Sequence, residues 1–137
     1  MNGDTLSRYA PQALAVLRIV TALLFIEHGT QKLFGFPAGQ MAVGISNLPP
    51  LLLVAAILEF VGGLALLVGL FTRPVAFILA GEMAIGYWMV HAPKDLFPVN
   101  NGGEAAILYC FIFLYLVVAG PGAWSVDGTR ARIAATT

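Results

Sequence analysis

The sequence predicts an all-α integral membrane protein, in which residues 1–137 form a single domain built as a four-helix up-down bundle. Hydrophobic residues make up 59% of the chain and charged residues only 10%, whereas a soluble domain carries roughly 25% charged residues. The mean hydropathy is +0.87. Four long apolar stretches, separated by turn-forming residues, are predicted to span the membrane. These observations place the chain in a lipid bilayer.

The first predicted helix covers about residues 11–34 and ends in a polar cluster. Glu27, His28, Gln31 and Lys32 follow an apolar stretch within six positions. Each helical residue turns by about 100°, so these four share one face about 140° wide. Such a face is costly against lipid, and we expect it to turn inward, toward other helices or a water-filled cavity. The alternative is a helix end that reaches the headgroups, with Lys32 snorkelling.

The second predicted helix covers residues 51–71 and follows a pair of prolines. Its one ionisable residue, Glu59, lies near the middle. Small residues, among them Ala56 and Gly63, lie one turn on either side of it. Small residues at this spacing let a neighbouring helix come close. We therefore expect the carboxyl group of Glu59 to point into the bundle.

The third predicted helix, residues 74–91, begins at Pro74 and carries Glu82 near its middle. His91 and two aromatic residues gather at its far end, as interfacial aromatic residues do.

The fourth predicted helix, residues 104–119, begins at Glu104, where a helix N-terminus favours negative charge. Stabilising the start of this helix is therefore the alternative to a functional role for Glu104. The tail after the helix is polar and expected to lie at the membrane interface.

The arginines predict the orientation of the chain. Arg8, Arg73, Arg130 and Arg132 fall on the same side of the four predicted spans. Because positive charge is enriched in cytoplasmic loops, both termini are predicted to be cytoplasmic. Net charge is zero, so nothing indicates nucleic-acid binding, and the single cysteine excludes an intramolecular disulfide or a CxxC redox pair.

Each predicted helix carries one glutamate, and most of the polar groups fall in the outer half of the membrane. A buried carboxylate must be protonated, paired or bound to a metal. No Glu-x-x-His motif is present, so we predict no metal site and no certain cofactor. The alternative is that the glutamates only fix helix packing. The predicted ligand pocket or proton relay consists of Glu27, His28, Gln31, Lys32, Glu59, Glu82, His91 and Glu104.

Five short motifs lie at residues 28–36 (HGTQKLFGF), 58–65 (LEFVGGLA), 71–74 (FTRP), 101–104 (NGGE) and 120–122 (GPG). In their order and spacing these motifs resemble those of the DoxX family of membrane proteins. The resemblance implies a four-helix protein of the bacterial inner membrane. It also implies a link to quinone or thiol stress and to soluble redox partner proteins, since the family is named after a subunit of a thiosulfate:quinone oxidoreductase. It transfers no catalytic residue to this chain.

Three functions are compatible with these observations, and a homo-oligomer is compatible with each. The first is a redox-linked membrane protein that binds a quinone, with His28, Lys32 or His91 as hydrogen-bond donors and buried glutamates as proton relays. The second is a non-enzymatic subunit that anchors or stabilises a redox partner. The third is a small proton-coupled transporter. A catalytic role requires an accessible polar pocket, whereas an anchoring role predicts a cluster sealed by packing.

Overall fold

The computed structural model describes residues 3–136, and every regular element in that range is helical. The all-α class predicted from the sequence is therefore confirmed. In chain order the elements are α1 (Gly3–Ser7), α2 (Ala10–Phe34), a 3-10 turn (Ile45–Asn47), α3 (Pro50–Val68), α4 (Thr72–His91), α5 (Pro98–Asn101), α6 (Glu104–Ala119) and α7 (Val126–Ala134). A π-helical segment, Leu58–Gly62, lies within α3, and a second, Tyr87–His91, lies at the end of α4.

Three of these helices, α2, α3 and α4, are long and apolar enough to cross a membrane. The fourth apolar helix, α6, has 16 residues, which gives a length of about 24 Å. The hydrocarbon core of a bilayer is roughly 30 Å thick. All four predicted apolar helices are thus present, and their packing as one up-down bundle stays a prediction.

The chain divides into two compact units. Arg73–Gly120 forms one of them and contains α5, α6 and nearly all of α4. The other described residues, including α2, α3 and α7, form the second. These are called the α4–α6 unit and the α2–α3 unit below.

The core of the α2–α3 unit lies between its two long helices. Buried positions recur on α2 every three or four residues, the period of one helix face, and they include Arg18, Phe25, Gly29 and Lys32. A Cβ atom at Gly29 would lie only 2.7 Å from the backbone nitrogen of Phe60 on α3. A residue without a side chain is therefore needed for this close approach, which sets the polar end of α2 against the middle of α3.

The second long helix ends at Val68, rather than near residue 71 as predicted. Gly69 has a φ of 68°, in the left-handed region that favours glycine. The backbone amides of Gly69 and Leu70 donate to the carbonyls of Leu66 and Ala65. This double closure ends a helix at a glycine, so the turn into α4 begins directly afterwards.

The polar tail forms a helix, α7, which the sequence analysis did not predict. Its N-cap is Ser125, whose Oγ accepts a hydrogen bond from the amide of Gly128 at 3.1 Å. The carboxylate of Asp127 accepts from the amides of Phe71 and Thr72 at 2.9 and 2.8 Å. These bonds hold the start of α7 against the turn that follows α3.

Candidate functional site

A buried ion pair joins α2 to α3. Lys32, in the last turn of α2, donates a hydrogen bond from Nζ to Oε1 of Glu59. Their side chains are only 11% and 5% exposed. Attraction between two opposite charges is strong away from water, and so is the cost of removing either charge from water. The structure thus gives Glu59 the buried, inward position expected from its small neighbours.

Only one of the two carboxylate oxygens of Glu59 is paired. Oε2 is buried and has no hydrogen-bond partner among the residues that the structure describes. A buried acceptor without a donor costs roughly 1–3 kcal/mol. Oε2 is therefore positioned to accept a proton, or a hydrogen bond from a bound molecule.

Glu59 also lies in an irregular part of α3. The segment Leu58–Gly62 is π-helical, with hydrogen bonds between residues five apart instead of four, so the helix is wider at this position. Such segments occur frequently at functional sites, where they re-aim a side chain within a helix. The second π-helical segment, Tyr87–His91, ends at another predicted site residue, His91. The sequence analysis had no signal for either segment.

Close helix packing lets the lysine reach the glutamate. Gly29 lies one turn before Lys32, and Gly63 lies one turn after Glu59. Both are buried, and a Cβ at Gly63 would lie 2.6 Å from Cγ1 of Ile26. The loop after α2 then folds back, because the amide of Gly44 donates to the carbonyl of Lys32 at 3.1 Å. A backbone hydrogen bond therefore fixes the lysine end of the ion pair, and close helix packing fixes the glutamate end.

The other polar residues of α2 do not share this buried face. Glu27 and His28 are exposed and Gln31 is half-buried, whereas we expected all four to turn inward. The buried stripe of α2 includes Phe25, Gly29 and Lys32, and at about 100° per residue Glu27 falls nearly opposite its centre. Lys32 lies at one edge of the predicted polar face, and only this edge overlaps the buried stripe.

Gln31 and His28 have local contacts. Gln31 donates from Nε2 to the carbonyl of Pro37 at 3.1 Å, which ties the helix end to the next loop. The ring of His28 meets that of Phe25 edge to face, with centroids 6.5 Å apart.

The remaining predicted site residues lie in the α4–α6 unit. Glu82 is half-buried in the middle of α4, and Glu104 is exposed at the first position of α6. His91 stacks on Tyr87 with ring centroids 6.3 Å apart, and its Nδ1 lies 3.1 Å from the carbonyl oxygen of Asn101. That these side chains join Lys32 and Glu59 in one site stays a prediction.

Asn101 organises the loop beside His91. It is buried, and its amide nitrogen donates to the carbonyl of Asp95 at 3.0 Å. Its Oδ1 accepts from the amide of Gly103 at 2.7 Å. The histidine ring thus packs on a loop that is held by its own side chains.

Two open grooves lie elsewhere on the surface. The first, called the Trp124 groove below, has a volume of about 500 Å³. The second has about 320 Å³ and is lined by Glu104 with Pro98, Ile107 and Leu108. Neither is lined by Lys32 or Glu59. The lining residues of the Trp124 groove are Val68, Trp124, Ser125, Val126, Thr129 and Arg130.

Arg18 is a structural centre that the sequence analysis missed. It is fully buried, and the sequence analysis gave it no role. Nε donates to the carbonyl of Pro121 at 2.8 Å, and Nη1 donates to those of Leu66 and Leu67 at 2.5 and 2.6 Å. Nη2 donates to the carbonyls of Ala123 and Trp124 at 3.3 and 3.0 Å. The signal available was a lone charge inside an apolar stretch, which must find partners within the protein.

Asp127, outside the membrane-spanning helices, has a shifted pKa. Partial burial acts to raise the pKa of this carboxyl group. The hydrogen bonds from Thr72 and Phe71 and the positive charge of Arg130 outweigh that effect and hold the pKa below its usual range. Asp127 is therefore a charged anchor for α7 at neutral pH.

Comparison with known proteins identifies the family. The DoxX family model matches residues 13–92, which include Arg18, Lys32 and Glu59. An uncharacterized protein of Haemophilus influenzae is 47% identical over 131 residues, which cover 90% of this chain and 95% of that protein. Inner membrane protein YqjF of Escherichia coli is 32% identical over 121 residues, 82% of this chain and 87% of its own.

Inner membrane protein YphA of Escherichia coli is 32% identical over 127 residues, which cover 85% of this chain and 89% of that protein. No solved structure matches the chain. The resemblance noted in the sequence is confirmed: the chain is a membrane protein that belongs to the DoxX family.

Proposed function

We propose that this DoxX-family protein is a redox-linked component of the bacterial inner membrane that binds a quinone-type ring at Lys32 and Glu59. The observation that carries the proposal is the half-paired carboxylate of Glu59, buried beside a lysine between two apolar helices. Strongly polar groups inside membrane helices commonly mark functional sites. The two relatives named inner membrane proteins support the location.

The pair offers both kinds of contact that a quinone and its reduced form need. Lys32 has three N–H donors, and one of them is bonded to Glu59. Another can donate to a quinone carbonyl. Oxidation of a quinol releases two protons and two electrons. Oε2 of Glu59 can accept a hydrogen bond from one quinol hydroxyl and take its proton, and the second proton would pass to Glu27 or His28, which are exposed on α2. The two electrons would pass to an oxidant in a partner protein.

Glu27 and His28 are exposed on α2 and can exchange protons with the surroundings. The further members of the ligand pocket or proton relay are proposed to be Glu27, His28, Gln31, Glu82, His91 and Glu104.

Ligand binding tests the proposal. Purified protein is titrated with a short-chain ubiquinone or menaquinone analogue, together with Lys32→Met and Glu59→Gln. A hydrogen bond to a charged group contributes about 1.5–3 kcal/mol, so each substitution should weaken binding about 10- to 100-fold. Lys94→Met is the matched control, because Lys94 is exposed in the loop after α4, and it should bind the analogue as the unmodified protein does.

Two results would reject the quinone site. One is saturable binding that neither Lys32→Met nor Glu59→Gln weakens. The other is the absence of binding by protein whose circular dichroism shows intact helices, measured with and without a membrane extract that supplies partner proteins.

Both termini are proposed to be cytoplasmic. The position of Arg8, Arg73 and the two arginines of α7 relative to the apolar helices supports this orientation. Reporter fusions at each terminus and in the loop at residues 92–97 test it. A terminus that reports from outside contradicts the proposal.

A second candidate function, an anchor for a soluble redox protein, is favoured by the same site's packing. Lys32 and Glu59 are largely buried between helices, with side chains 11% and 5% exposed, and this packing agrees with an anchoring role. In that case the quinone analogue does not bind, and substitutions of the pair reduce the amount of folded protein without another effect.

A further inference from the structure

The Trp124 groove lies where a membrane span ends. Val68 is the last residue of α3 and one wall of the groove. Trp124 and Val126 add apolar surface, while the hydroxyls of Ser125 and Thr129 and the guanidinium of Arg130 add polar groups. Its volume of about 500 Å³ falls within the roughly 300–1,000 Å³ of small-molecule sites. An apolar wall beside a polar wall suits a ligand that is itself amphipathic.

Arg130 brings unused donors to this groove. Arg18 bonds five backbone carbonyls. By contrast, in residues 3–136 the guanidinium of Arg130 has no hydrogen-bond partner and lies 5.7 Å from the ring centroid of Phe71. Asp127 is bonded by two backbone amides and acts on Arg130 only through space. The five N–H donors of Arg130 can therefore meet an anion, and a planar guanidinium fits phosphate well.

Two strained aromatic residues flank Arg130. Phe71 and Trp124 have φ values of 48° and 51°, and within the described chain they are the non-glycine residues with positive φ. Large side chains rarely adopt this region, and such strain clusters at ligand-binding sites. Both side chains are mostly exposed, at 59% and 65%. The fold thus holds two aromatic rings outward beside one arginine, close to the end of an apolar helix, and aromatic residues at such ends commonly meet lipid headgroups.

We propose that the Trp124 groove binds an anionic phospholipid. The phosphate accepts hydrogen bonds from the guanidinium of Arg130, and the upper acyl chain lies on Val68 and Trp124. The occupant is a lipid rather than a soluble phosphate compound because the groove continues the surface of a membrane span. A lipid with net negative charge is favoured over a zwitterionic one because the groove supplies a cation and no acidic side chain lines it.

Contact quenching tests this site in the full-length chain. The protein has two tryptophans, so Trp88→Phe leaves Trp124 as the only indole. This protein is placed in nanodiscs of phosphatidylcholine that contain increasing fractions of brominated phosphatidylglycerol or of brominated phosphatidylcholine. We expect Trp124 to be quenched at a lower fraction of the anionic lipid.

Two arginine variants locate the selectivity. Arg130→Gln should lower the apparent affinity for phosphatidylglycerol about fivefold, the effect of one basic residue near an anionic membrane surface. Arg132→Gln is the matched control, because Arg132 lies on the same helix and does not line the groove. Thermal unfolding in phosphatidylcholine alone verifies that each variant is folded.

Three outcomes would overturn the site. Equal quenching by the two brominated lipids removes the selectivity. An equal loss in Arg130→Gln and Arg132→Gln shows diffuse attraction to a charged surface. Loss of the excess quenching on addition of inorganic phosphate shows an anion site that does not depend on lipid. Selective quenching that only Arg130→Gln removes supports the proposal.

Discussion

The ion pair between Lys32 and Glu59 gives the sharpest test of how the two long helices of the α2–α3 unit are held together. Exposed pairs contribute about 0–1 kcal/mol, but these side chains are 11% and 5% exposed, so the buried case applies. Removing one partner of a buried pair costs about 3–5 kcal/mol because the remaining charge has no partner. We expect Lys32→Met to lower the free energy of unfolding by that amount.

Replacing both residues should restore much of the stability. In Lys32→Met with Glu59→Leu, no charge is buried, and such replacements are often neutral or stabilising. The double-mutant cycle should therefore give a coupling energy of at least about 3 kcal/mol. Glu59→Gln keeps an acceptor for the lysine and should lie between Lys32→Met and the unmodified protein.

Unfolding in mixed detergent micelles, followed by circular dichroism, provides the free energies. Lys94→Met serves as the control and should leave the unfolding free energy unchanged. If Lys32→Met and Glu59→Leu alone each cost less than about 1 kcal/mol, the value for an exposed pair, the pair does not stabilise α2 against α3. The reasoning from burial is then refuted.

Three further predictions use the same unfolding assay. Arg18→Met removes the hydrogen-bond donors of five backbone carbonyls and should lower the free energy of unfolding by about 3 kcal/mol or more. Arg73→Met removes two bonds, and an equal or larger effect of this variant would contradict the prediction. Gly29→Ala places a Cβ 2.7 Å from the backbone of α3 and should cost about 1–3 kcal/mol, whereas Gly81→Ala, with nothing within 4 Å, should cost nothing. The lowered pKa of Asp127 adds stability above its unfolded pKa of about 3.9, and this stability is lost as pH falls through the folded pKa. The difference in unfolding free energy between the unmodified protein and Asp127→Asn should therefore shrink below pH of about 4. A difference that does not change with pH would disprove the assignment.

Hydropathy and turn residues predicted most of the fold. The bounds of α6 agree with the prediction, and α2 begins one residue early, because proline and glycine mark those ends. α7 was missed because its nine residues carry no apolar stretch. Its position depends on Asp127 and on bonds to residues more than fifty positions away, which no local pattern contains.

The candidate site was predicted in part. Small residues around Glu59 correctly indicated a buried carboxylate, and its partner Lys32 was among the residues of the predicted pocket or relay. The inward direction of Glu27 and His28 was wrong because four polar residues were treated as one face. The buried stripe of α2 was instead defined by alanine, phenylalanine and glycine, whose spacing was available in the sequence. The π-helical segments depend on hydrogen bonding that composition does not encode.

The hydrogen bonds of Arg18 form in a fixed order during translation. The ribosome makes α2, which contains Arg18, long before the C-terminal segment, because Pro121 follows Arg18 by 103 residues and Trp124 follows it by 106. The carbonyls of Leu66 and Leu67 become available earlier, 48 and 49 residues after Arg18. During translation the guanidinium can therefore bond two carbonyls of α3 first, and it reaches all five acceptors only later. Until the C-terminal segment has been made, the guanidinium of Arg18 lacks three of its five acceptors, and only completion of the chain supplies them.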